Sequence, residues 1–280
     1  ASFRCTTERD AEASRSVVHL KLAPRLREAL AKSLRPAPGL ALRASGLDKA
    51  AVAVGVDLPV AVGALHAWGK ARAAAPSGCR WFSGFDELAE QLAGRGWRRL
   101  VAGAPALSGV AVVLSRLEPA EAGPPKLEAA AWLQGPAAAL FELMGDAVPG
   151  AKALSQAPPG RVVPLTLPLG LAMVVPEAHG LHSATGLGVA VGAEGRARLE
   201  TLSQQPTAPE GPVLIWHLEP AFMAAPEGAD DQEKWADAPA IAEAMARFRA
   251  LRNEGARSLS GFGRLTPEGL TLEGWIEYGD

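Results

Sequence analysis

The sequence predicts an α+β protein: mainly antiparallel sheets built from hairpins, helices packed on one face, and two similar halves. Three observations carry that expectation. Short alternating apolar runs are bounded by turn residues at hairpin spacing, most clearly at 258–265 and 270–278 around Thr266-Pro267-Glu268-Gly269. Prolines stand where helices would begin, at Pro24, Pro59 and Pro136, and in a first helical turn the missing N–H costs no hydrogen bond. A strand–helix phrase also recurs. GPVLIWHLEPAFMAA at 211–225 and SVVHLKLAPRLREAL at 16–30 each carry an apolar run, a His-Leu pair, a proline and a helical stretch, and KLEAAAWLQGPAAALFELMG at 126–145 is a looser version.

Taken in order, residues 1–14 are polar and charged and read as a loose lead-in. Residues 16–22 form a first strand, with Val18, Leu20 and Leu22 on one face and Val17, His19 and Lys21 on the other. After Pro24, Leu26, Leu30 and Leu34 recur every fourth residue as a narrow apolar helix stripe, which Pro36 and Pro38 end. Residues 39–57 read as a hairpin turning at 46–49. Pro59 then opens a helix through Leu65 and Trp68, and Ser83 starts another whose inward side is Phe85, Leu88 and Leu92. A further hairpin is expected at 97–117, with its tip at 105–109. The stretch PAEAGPP at 119–125 gathers proline and glycine without an apolar pattern and reads as a linker. The expected division is therefore a lead-in at 1–14, one half at 15–120 and a second at 121–280.

The second half repeats the order. A strand at 127–133 precedes a helix from Pro136 through Leu140, Phe141 and Met144. A loop at 146–160, two apolar strands in 162–175 and a polar loop at 176–186 follow. A strand at 187–191 then leads into a helix at 194–202. Beyond the strand at 213–218, Ile241, Met245, Phe248 and Leu251 mark a helix at 235–251, and the closing hairpin ends the chain.

With 280 residues, 48% of them hydrophobic and 21% charged, the chain has ample material for a core and the composition of a folded domain. A net charge of −2 argues against a general nucleic-acid binder, which needs a basic surplus. No apolar run reaches the ~18 to 20 residues of a membrane helix. The start ASFRC lacks a methionine and reads as a removed targeting segment or a trimmed end. Cys5 and Cys79 have neither metal nor CxxC spacing, which leaves two readings. They are free thiols, or they form a disulfide closing a loop of about 75 residues, worth roughly 4 kcal/mol and implying an oxidising compartment. The strand–helix–hairpin repetition resembles, in general terms, exported bacterial domains built from duplicated α+β units. The expected location is the periplasm or cell envelope, with the cytoplasm as the other choice.

Several constellations could carry chemistry. GALHAWGK at 63–70 has five residues between its glycines where a phosphate loop has four, and Ala71 stands where that loop needs Ser or Thr. GLGVAVG at 186–192 has Val191 in place of a third glycine, and its glycines fall inside the strand, so close packing explains them better than a dinucleotide. No cofactor follows from either. PEAHGLHSATG at 176–186 offers Glu177, His179 and His182 as a metal set or an acid–base pair, although the histidines are three apart with Gly180 between them. His19 and His217 take matching places in their strands. An acidic loop holds Glu227, Asp230, Asp231 and Glu233 without the alternating ligands of an EF-hand. Neither a G-x-S-x-G elbow nor an H-E-x-x-H pair occurs.

These features favour a non-catalytic, extracytoplasmic binding or assembly module acting through protein–protein contacts or self-association at sheet edges, the final hairpin among them. A second reading is a carrier that clasps an apolar or lipid-like ligand between sheet and helices, lined by Trp132, Phe141, Trp216, Phe222 and Met223. A third, from a different class, is a metal-assisted hydrolase centred on Glu177, His179 and His182.

Overall fold

Alternation and hairpin turns produce a single antiparallel sheet of 11 strands in the computed structural model. Residues 2–9, 12–38, 49–75, 83–98, 104, 106–118, 126–144, 150–167, 177–204, 211–220 and 239–279 are described. The strands are β1 (Ser2–Arg9), β2 (Ala13–Lys21), β3 (Ala50–Gly55), β4 (Gly109–Glu118), β5 (Lys126–Gln134), β6 (Val163–Pro164), β7 (Ala178–Ser183), β8 (Gly186–Val191), β9 (Leu214–Leu218), β10 (Ala256–Thr266) and β11 (Gly269–Tyr278). They lie in the order β1-β2-β11-β10-β9-β3-β4-β5-β8-β7-β6. The helices are α1 (Pro24–Ser33), α2 (Leu58–Ala74), α3 (Ser83–Ala93), α4 (Ala137–Met144), α5 (Ala151–Gln156), α6 (Gly192–Gln204) and α7 (Pro239–Asn253). The class is α+β.

Outward from the central β9–β3 pair, the sheet reads alike in both directions. One run of chain is hairpin β1–β2, helix α1, strand β3, helices α2 and α3, and strands β4–β5. The other is hairpin β7–β8, helix α6, strand β9, helix α7 and hairpin β10–β11. The runs interlock, because β2 pairs with β11 while β8 pairs with β5. Arg264-Leu265-Thr266 ends β10 as Arg116-Leu117-Glu118 ends β4, and Trp275 and Trp132 take matching places in β11 and β5. Helices α4 and α5 and strand β6 stand between the two runs. Residues 119–125, expected as a linker, lie outside the described residues. They connect two strands that pair directly, with Glu118 opposite Lys126.

Residues opposite each other in an antiparallel pair share a face, so the register assigns every side chain. Ala53, Ala111, Trp132 and Gly188 form one row on the first face. Helix α6 covers it through Leu199 and Leu202, which pack with Trp132, Ala130, Ala190 and Leu181. A Cβ on Gly188 would collide with Leu199, so glycine is what permits this close approach. The helix itself is started by Glu128 of β5, whose carboxylate accepts from the backbone N–H groups of Glu194 (2.8 Å) and Gly195 (3.4 Å), with Gly192 at φ +74° supplying the bend. The second face carries Leu133 and Leu187. Leu140 and Phe141 of α4 and Leu154 of α5 gather over them. The helices thus divide between the faces.

Asp57 caps α2 by accepting from the Val60 N–H at 3.2 Å, and its other oxygen pairs with Arg35 at 2.7 Å. Helix α3 lies against α2 at Gly69, where a Cβ would stand 2.6 Å from the Leu92 side chain. Arg72 joins Asp86 across the same contact at 2.6 Å.

Three expectations are corrected. The lead-in at 1–14 is strand β1 and the start of β2, paired from Ser2–Lys21 to Arg9–Ser14. Trp97 stands in a helical turn, and β4 pairs with β3 and β5 and not with a strand from the 97–103 region. The polar loop at 176–186 is the β7–β8 hairpin, with Ala184 and Thr185 at its turn. The closing hairpin forms as expected but lies inside the sheet, flanked by β9 and β2, so its edge is not free. The first arm of the 39–57 hairpin and most of the 162–175 strands lie outside the described residues.

Candidate functional site

The middle of the second sheet face sets the site. Across β9, β3, β4, β5 and β8 the register aligns Trp216, Val52, Val112, Ala131 and Val189 in one row. Although these strands are interior, Val52 is 42% exposed, Val112 39% and Val189 38%. The rows on either side are also apolar, with Leu214, Val54 and Val110 on one and Leu218, Ala50 and Leu114 on the other. Continuing over β10 and β11, the central row passes through Gly261 and Gly274. The indole of Trp216 lies on these glycines: a Cβ on Gly261 would collide with it, and one on Gly274 would stand 3.3 Å away. One half of the row is therefore an aromatic plate over glycine, and the other a strip of small Val and Ala side chains.

The first face behaves differently on the β9–β2 side. There Arg15 pairs with Glu273 at 2.6 Å, the Ser258 hydroxyl donates to Glu277 at 2.8 Å, and His217 Nδ1 meets the Ser260 hydroxyl at 2.7 Å. Ser258 and Ser260 are buried there, while Arg15 reaches water. Phe262 and Trp275 stand on the same face, edge to face with ring centroids 6.0 Å apart, and the same strands put Leu259, Leu272 and Ile276, half-buried, on the second.

Of the residues expected to line an apolar site, Trp132 and Trp216 do not come together. Trp132 is 4% exposed on the first face beneath α6, whereas Trp216 stands on the second. Phe141 packs edge-on to His182, with ring centroids 5.3 Å apart. Phe222 and Met223 lie outside the described residues. Of the metal set, Glu177 is exposed just ahead of β7. His179 and His182 are three apart on one strand, so they point to opposite faces. His182 is buried and its Nε2–H donates to the Ala157 carbonyl at 2.9 Å. Among the described residues, no three of His, Cys, Asp and Glu come together closely enough to hold an ion.

His19 and His217 share the first face but are three strands apart, roughly 14 Å across the sheet, and the register offsets them by four residues along the strands as well. His19 Nδ1 meets the Thr271 hydroxyl at 3.1 Å. It borders a shallow depression of about 340 Å³ with Arg4, Lys21, Thr266 and Glu268. The phosphate-loop-like stretch is the interior of α2, Gly186 and Gly188 pack against Trp132, and Gly192 lies against Glu128. Cys5 is exposed on β1, while Cys79 and the acidic loop lie outside the described residues. Among the described residues no helix is long and apolar enough to cross a membrane.

Sequence reading missed the open face, and one signal could have found it. AAVAVG, GVAVVLS and GLGVAV are apolar at nearly every position, which calls for cover on both sides of the sheet. No protein-family model matches the chain, and neither a curated protein nor a solved structure is significantly similar to it.

Proposed function

We propose that this chain is a non-catalytic binding module whose working surface is the open apolar face around Trp216, Val52 and Val112. One observation carries the reading: three valines in the interior of an 11-stranded sheet, separated only by Ala131 in the row, remain about two-fifths exposed. A contiguous apolar surface of this kind is rare on a protein that works alone, because every exposed methylene costs hydration free energy that a partner would recover. The face has shape and apolarity to offer, and these suit association. The contact proposed here is the face of the sheet and not its edge.

The test replaces Val52, Val112 and Val189 together by threonine, which keeps the branched shape and strand preference while adding a hydroxyl. Because the valines are exposed, stability should change by no more than about 0.5 kcal/mol per site in a denaturant titration. Binding of an environment-sensitive apolar dye should fall several-fold. A loss of several kcal/mol with unchanged dye binding would mean that the valines are ordinary core and would refute the reading.

A further inference from the structure

We infer that the occupant of this open face is a second copy of the same chain, seated sheet against sheet about a two-fold axis near Val52; this rests on the reading of the face as a binding surface. Two observations point to self-association. The first is complementarity within the central row. Trp216 is raised on Gly261 and Gly274, and the strip Val112–Ala131 lies at a similar distance on the other side of Val52. A two-fold axis through Val52 places the indole of each copy on the small-residue strip of the other. An isologous contact needs just this pairing of unlike halves, in which residue i meets j and j meets i.

The second observation is area. A face position occupies one strand spacing by two residue rises, about 33 Å², so three rows over the seven strands from β11 to β8, less the positions of Leu133 and Leu187 beneath α4 and α5, present roughly 630 Å² on each copy. The pair would bury about 1,250 Å², at the lower end of the range of stable specific interfaces. Two such faces pack ~10 Å apart with their strands crossing near −30°, the ordinary geometry of a β-sandwich. The Arg15–Glu273 ion pair stays outside on the first face.

Sedimentation velocity of the full chain over a wide concentration series tests this. The expected result is a species of twice the 29.0 kDa chain mass. Trp216→Ala and Val112→Glu should each convert it to monomer, shifting the midpoint at least about 100-fold while the circular dichroism is unchanged. The triple threonine variant guards against a glutamate that simply unfolds the sheet, and it should weaken the dimer by about tenfold. A dimer that survives all of these variants uses another surface and overturns the inference. A monomer that binds the apolar dye through Val52, Val112 and Val189 overturns the second copy and keeps the face as a binding surface. A monomer that binds no dye overturns both.

Discussion

Gly188 and Leu199 offer the sharpest check on how α6 is fastened to the sheet. Leu199 is 0% exposed, and truncation to alanine should cost about 3 kcal/mol, the transfer free energy of the lost carbons plus that of the cavity left behind. Gly188→Ala is the opposite perturbation. Its new methyl would overlap the tip of Leu199 and stand 2.7 Å from the Trp132 ring and 2.9 Å from the Ala131 carbonyl. The leucine can rotate, but the carbonyl belongs to the neighbouring strand and cannot move without breaking the ladder. We therefore place this substitution near the upper end of overpacking costs, about 2–3 kcal/mol, against a gain of a few tenths from the stiffer unfolded chain. Together the two changes should cost about 1–2 kcal/mol less than their sum, since the space vacated by Leu199 accepts the methyl. Full relief is not expected, because the contacts with Trp132 and Ala131 remain. Guanidinium titrations of the wild type, both single variants and the double variant read this out, provided that m stays constant. Additivity within ~0.5 kcal/mol, or a neutral Gly188→Ala, would refute the close approach of α6 to β8.

Two further substitutions probe single hydrogen bonds. Asp57→Ala removes both the cap on the Val60 N–H and the Arg35 pair and should lower stability by about 1–2 kcal/mol in a thermal melt. Asp57→Asn keeps the cap and should cost less than about 1 kcal/mol, the usual range for a part-exposed ion pair. His182→Phe keeps a ring against Phe141 but leaves the Ala157 carbonyl without its donor, with an expected loss of about 1–2 kcal/mol by urea titration. A neutral result would place a water where the imidazole now donates.

The elements most legible in the sequence were those specified locally. The closing hairpin needed only Pro267 and Gly269 in a four-residue turn between alternating strands, and it formed as read. Helices beginning near Pro24, Pro59 and Pro136 formed for the same reason, their starts being fixed by proline φ or, at α2, also by the Asp57 cap, and the one expected at Ser83 formed as well. Pairing partners over long separations were not legible. Nothing in ASFRCTTER predicts that it pairs with β2, because edge strands carry charge and threonine and so resemble loops. The His-Leu phrases at 16–30 and 211–225 are alike in sequence, yet β2 lies beside β11 and β9 beside β3. Their likeness reflects a shared strand-to-helix transition and not equivalent places. Trp132 and Trp216 illustrate the same limit. Both read as lining residues, and only the register shows that they stand on opposite faces.

The exposed valines of the second face sit beside strands that divide their carboxylates and aliphatic side chains between the two faces. In β10 and β11, Ser258, Ser260, Arg264, Glu273 and Glu277 share the first face with Phe262 and Trp275 while Leu259, Leu272 and Ile276 occupy the second, so these strands set their carboxylates on the first face and aliphatic side chains on the second. In β3, β4 and β8 no such alternation exists. Both sides are apolar, α6 takes the first, and the second is the one left with exposed valines. A charge at Val52, Val112 or Val189 would serve a free-standing sheet better, as Arg15 and Glu273 do on the first face. The chain keeps methyl groups there instead.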